Sequence, residues 1–133
     1  MSEQKDSLYP PDWLNIARKD WERIYRMIKD EDAEAAGYFF QQALEKYLKA
    51  FLLQNGWALR KIHELDALLD DAVKYKPDLK NFYDLCERVS GYYFAERYPH
   101  LGETSLSCKD IEKDLEDAKE FIKSMFPDER FAG

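Results

Sequence analysis

At 133 residues the chain has the length of one ordinary domain, enough to bury a core without disulfides or a structural metal. Its 45% hydrophobic residues, among them 8 Phe, 9 Tyr and 3 Trp, exclude a disordered chain, and 5 Gly and 5 Pro are too few for a turn-rich, many-stranded sheet. A net charge of -7 argues against an extended nucleic-acid surface, because such a surface needs clustered Lys and Arg to neutralise phosphates.

The pattern predicts an all-α chain, an up-and-down bundle of about five helices in a single domain, with 1–11 and 128–133 as terminal tails. A first helix is expected from Pro11-Asp12, where proline suits the first turn and an acid suits the positive end of the dipole. Leu14, Ala17, Trp21, Ile24 and Ile28 then recur at steps of three or four, which marks one buried face. After the polar break Asp30-Glu31-Asp32, a second helix runs to about Gln54 and is stopped by Asn55-Gly56. Its stripe of Ala36, Phe40, Ala43, Tyr47 and Ala50 is widened by Phe39, Leu44, Phe51 and Leu52. A helix this apolar belongs in the centre of a bundle or in a subunit interface.

A third, short helix is expected over His63 to Tyr75 and a fourth from Pro77-Asp78 to about Arg97, since Pro99 disfavours helical geometry at Tyr98. A loop follows to about Leu106. Ser107 and Asp110 form a capping box for the last helix, which carries Ile111, Leu115, Ala118, Ile122 and Met125 before Pro127 ends it. The connections are short, so sequential helices should be mostly antiparallel.

Several chemistries are absent from the sequence. No glycine-rich phosphate loop is written, and there is no H-E-x-x-H, G-x-S-x-G or paired C-x-x-C motif. Cys86 and Cys108 cannot make a four-ligand zinc site, and Cys86 falls in an apolar helical pattern as a core residue. No metal or cofactor is expected. No apolar run spans a bilayer, and residues 1–7 lack the order of a signal peptide. The expected compartment is a reducing cytoplasm.

Three features carry possible chemistry. Gln42, Lys46 and Lys49 share one helical face and can receive a phosphate, or form a solvated charged face. His63, expected at a helix start, can serve in proton transfer or simply pack beside Leu65; His100 sits in a polar loop behind a proline. In the stretch from Tyr92 to Pro99, Arg97 lies among aromatics. It can clamp a phosphate while Tyr93 or Tyr98 stacks on a base, or it can compensate the negative end of the helix dipole.

Taken in order, Tyr38 to Phe51 (YFFQQALEKYLKAF), Ile62 to Leu69 (IHELDALL) and Tyr92 to Pro99 (YYFAERYP) resemble the HEPN family, small helical domains named for nucleotide binding in higher eukaryotes and prokaryotes. The likeness runs from about Trp13 to Phe126. It implies a five-helix bundle, commonly a homodimer, similar in fold to the substrate-side domain of kanamycin nucleotidyltransferase. It also implies a minimal nucleotidyltransferase as partner, in a toxin–antitoxin-like pair, with a nucleotide or nucleotide-bearing substrate as ligand. The residues that match the family's polar pattern are Gln42, Glu45, Lys46, Lys49, His63 and Arg97.

Other HEPN proteins are metal-independent ribonucleases in which an Arg is followed, after four to six residues, by a His. Here Arg97 stands only two residues before His100, Arg60 only two before His63, and Arg88 is too far from His100. A non-catalytic binding module is therefore ranked first. A ribonuclease using Arg97 with His100 or His63 is the alternative, and a purely structural oligomeric subunit is a third.

Overall fold

The computed structural model describes residues 7–97 and 106–131. Helix α1 spans Pro10–Lys29, α2 Ala33–Gln54, α3 Leu65–Tyr75, α4 Tyr83–Arg97 and α5 Cys108–Met125, with a 3₁₀ segment Pro77–Phe82 leading into α4. Every regular element among the described residues is helical, as the apolar periodicity predicts.

Local signals place most of the boundaries. Proline occupies the first turn of α1, Asp12 follows it, and Arg26 and Lys29 sit in the last turn. Asp32 caps α2 by accepting from Ala35 N at 3.1 Å. The helix stops at Asn55 and Gly56, the glycine adopting φ 89°. Such left-handed geometry costs glycine nothing and other residues about 1 kcal/mol. Ser107 Oγ accepts from Asp110 N at 3.2 Å to start α5.

Two expected starts shift. The third helix begins at Leu65 rather than His63, because His63 is held outside it by a backbone and a side-chain contact to α2. Glu64, its N-cap, is extended. The fourth helix is preceded by the tighter 3₁₀ segment from Pro77, so α4 proper begins six residues later than the proline suggests.

Helix α2 is central: it packs against α1, α3, α4 and α5. Its apolar width is consumed within the chain. Ala36, Phe40, Leu44, Leu48 and Leu52 join Ile24, Leu68, Ile111, Phe121 and Ile122 in one core, and Phe51 packs edge-on against Phe126 with centroids 6.2 Å apart. Each of the Leu, Ile and Phe side chains contributes about 1.5–3 kcal/mol through burial.

The segment after α5 is docked on this core. Glu129 is buried and takes both Arg18 Nε and Nη2 at 2.9 Å, together with the Tyr47 hydroxyl at 2.7 Å. Phe131 lies against Trp21, centroids 5.0 Å apart. No helix among the described residues is long and apolar enough to cross a membrane.

Candidate functional site

The site grows from one acid on the central helix. Glu45 sits on the face of α2 that meets α1, with its side chain 2% exposed. A carboxylate so placed needs partners, since an unpaired buried charge costs several kcal/mol. One turn on, Lys49 Nζ donates to Glu45 Oε2 at 2.9 Å, and Lys46 Nζ approaches the same oxygen at 3.4 Å. The third partner arrives from the loop before α3. His63 Nδ1 lies 2.9 Å from that oxygen.

Backbone contacts aim this histidine. Gln41 Nε2 donates to the His63 carbonyl at 3.2 Å. Gln42 Nε2 in turn donates to Gln41 Oε1 at 2.8 Å, and Lys46 Nζ reaches Gln42 Oε1 at 3.3 Å. Lys46, Gln42 and Gln41 thus form a chain of hydrogen bonds along α2 that ends on the loop. Helix α1 closes the other side. The ring of Trp13 lies 5.2 Å from Lys49 Nζ and 5.9 Å from Lys46 Nζ, within cation–π range. Asp20, also buried, accepts from Arg23 at 2.7 Å.

The electrostatics follow from this packing. Burial pushes the Glu45 carboxyl upward, but the charges of Lys46 and Lys49 and the hydrogen bonds from His63 and Lys49 outweigh it, so its pKa is lowered. Glu45 is therefore a carboxylate at neutral pH. His63 then donates through Nδ1–H, and its Nε2 is the nitrogen left to face outward. Asp20 moves the other way: burial raises it, against the pull of Arg23 and Lys46.

Access differs sharply along the cluster. The His63 side chain is 70% exposed and that of Lys46 17%, whereas that of Lys49 is 4% exposed. Lys49 is committed to Glu45 and Trp13, so Lys46 and His63 are the groups that a solute meets. Among the described residues no group of His, Cys, Asp and Glu is arranged to hold a metal ion.

Of the residues singled out in the sequence, the structure gathers Gln42, Glu45, Lys46, Lys49 and His63. Tyr93 and Arg97 lie on the last turns of α4, with side chains outside the described part of the structure. Tyr98 and His100 lie outside the described residues. The sequence reading missed Gln41, Trp13 and Asp20. A signal existed for Asp20, an acid lodged in the apolar stripe between Ala17, Trp21 and Ile24.

The HEPN domain model matches residues 11–127. The chain belongs to the HEPN family. The match covers nearly the whole helical bundle, from the first turn of α1 to just past α5, and so includes every residue of the Glu45 cluster. Comparison with curated proteins and with solved structures returned no significant match. Membership supports a nucleotide-binding or ribonuclease-type role for this HEPN domain.

Proposed function

We propose that this HEPN domain is a nucleotide-binding module, the non-catalytic partner of a minimal nucleotidyltransferase in a cytoplasmic, toxin–antitoxin-like pair. The observation that carries the reading is the Glu45 cluster. Replacing buried ion pairs by well-packed apolar residues is often neutral or stabilising, so a carboxylate with two lysines and a histidine inside a bundle has little to offer stability alone. Such clusters mark functional sites. Lys46 and His63 reach the surface side by side and can take a nucleotide phosphate. Glu45, Lys49 and Gln42 hold them in place. Arg97, Tyr93 and Tyr98 would supply further phosphate and base contacts, and self-association of two copies would follow the habit of the family.

The test is thermal stability of the purified protein with a panel of nucleotides and short RNAs. A ligand that binds only the folded state raises the melting temperature, by an amount set by its concentration over its Kd. A shift with nucleotide that is lost in Lys46→Ala supports the module. No shift with any member of the panel, alone or with a nucleotidyltransferase present, removes its basis.

One observation favours a second reading, metal-independent RNA cleavage. A buried carboxylate that orients an exposed imidazole through Nδ1 leaves Nε2 free as a general base. The nearby arginine does not complete the arrangement: Arg60 is paired with Asp71, not turned toward Glu45. RNA cut in EDTA by the unmodified protein but not by His63→Ala would put this reading first.

A further inference from the structure

The loop between α2 and α3 serves a second polar cluster that shares no residue with the Glu45 site. Its anchor is Asp71 on α3, which is buried. Trp57 Nε1 donates to Asp71 Oδ2 at 2.9 Å, Arg60 Nη1 meets the same oxygen at 3.4 Å, and Lys74 Nζ meets Oδ1 at 3.4 Å. Trp57 is buried, whereas the Arg60 and Lys74 side chains are 62% and 74% exposed. With Ala58 and Tyr75 these residues line a depression of about 170 Å³.

Charge and donor capacity indicate what fits. Two cations face one carboxylate, and that carboxylate already accepts from three donors. Arg60 commits one N–H of its five, and Lys74 one of its three. The rim is therefore net positive and rich in unused donors. The size sets a second limit, because sites that enclose a drug-sized molecule run to about 300–1,000 Å³. A nucleoside does not fit inside, but a phosphate group does. A carboxylate would be satisfied by one guanidinium fork, whereas a phosphate has three terminal oxygens and can take both cations at once. Asp71 contacts both heads before a ligand arrives, which lowers the ordering cost of binding.

We propose that the depression formed by Trp57, Arg60, Asp71, Lys74 and Tyr75 is a phosphate-binding site, taking free phosphate or the terminal phosphate of a monoester. Arg60 and Lys74 are the ligands, Tyr75 is a wall, and Asp71 is a positioning residue. The site is separate from the proposed nucleotide site and stands or falls without it.

The indole N–H of Trp57 is a reporter built into the anchor, and those of Trp13 and Trp21 are controls in the Glu45 site and the core. We would follow the three indole N–H signals by proton–nitrogen NMR while adding inorganic phosphate, AMP or acetate to about 50 mM at constant ionic strength, a range that covers a millimolar Kd. The expected result is a saturable shift of the Trp57 signal with phosphate, little with acetate, and at least a ~5-fold weaker response in Arg60→Gln/Lys74→Gln. An unmoved Trp21 signal shows that this exposed double substitution leaves the core folded. Tighter saturation by AMP than by phosphate identifies a monoester as the source, and equal saturation identifies free phosphate. No saturable shift of Trp57, an equal response to acetate, or an undiminished response in the double variant overturns the proposal. A response at Trp13 alone would bear on the nucleotide site and not on this one.

Discussion

His63 and Glu45 are 18 residues apart in sequence and meet at 2.9 Å, imidazole Nδ1 on carboxylate Oε2. The contact ties the loop before α3 to the middle of the central helix, and Gln41 ties the same loop through the His63 carbonyl. One acid therefore does two jobs. It neutralises Lys49 inside the bundle and sets the direction of an exposed imidazole outside it.

That double role predicts an asymmetric mutant cycle. Glu45→Gln leaves the buried Lys49 ammonium without a counter-charge, which should cost about 3 kcal/mol in urea unfolding at neutral pH. Glu45→Gln/Lys49→Met removes the orphaned charge and should recover at least half of the loss, while His63 stays unanchored. The recovery is measured as the shift in urea midpoint at constant slope. Losses that simply add would mean the two side chains do not depend on each other.

The helix crossing of α2 with α4 gives a second prediction. A Cβ built on Gly37 would lie 2.7 Å from Tyr92 Cβ and 3.1 Å from Leu106 Cδ2, whereas one on Gly91 meets nothing within 4 Å. Alanine is the better helix former by about 1 kcal/mol at either site. At Gly91 that gain stands alone, and Gly91→Ala should raise the melting temperature. At Gly37 the overlap with a neighbouring side-chain root forces the helices apart, at about 1–3 kcal/mol. Gly37→Ala should therefore melt lower than the unmodified protein. Equal effects from the two substitutions would show that the crossing is looser than this contact requires.

These relationships also mark where sequence reading stops. Stripes such as Ala17, Trp21 and Ile24 were legible because periodicity is a local property. So were the stop at Asn55-Gly56 and the Ser107 cap, which depend on neighbours in sequence. The face bearing Gln42, Lys46 and Lys49 was legible for the same reason. What was not legible is depth. Lys49 and Lys46 look alike in sequence, yet one is enclosed by Glu45 and Trp13 while the other reaches solvent. Nor does any local signal pair Trp57 with Asp71, or lift Glu129 out of a polar tail and place it on Arg18 and Tyr47. Those contacts are set by how α1, α2 and α3 pack.

The Glu129 contact predicts how the fold responds to acid. Burial raises the Glu129 carboxyl, but hydrogen bonds from Arg18 and Tyr47 outweigh it and hold its pKa below the ordinary value of 4.5. Glu45 is lowered as well. A carboxyl with a lowered folded pKa binds protons more readily when unfolded. Its stabilising contribution is thus complete above the unfolded value and drains away as pH falls through and below it. Asp20 is raised by burial and acts in the opposite sense, gaining as pH falls, so the acid loss belongs to the two glutamates. Glu129→Gln should lower stability by about 2 kcal/mol near neutral pH, through the charged hydrogen bond from Tyr47 and the part-exposed pair with Arg18. In acid the unmodified protein protonates its own Glu129, so the gap between the two proteins should begin to close at about pH 5 and keep shrinking as the pH falls further. Urea midpoints across that range measure it. A gap that stays constant would mean the substitution acts through shape, and that the charge on Glu129 does not hold the end of the chain against α1 and α2.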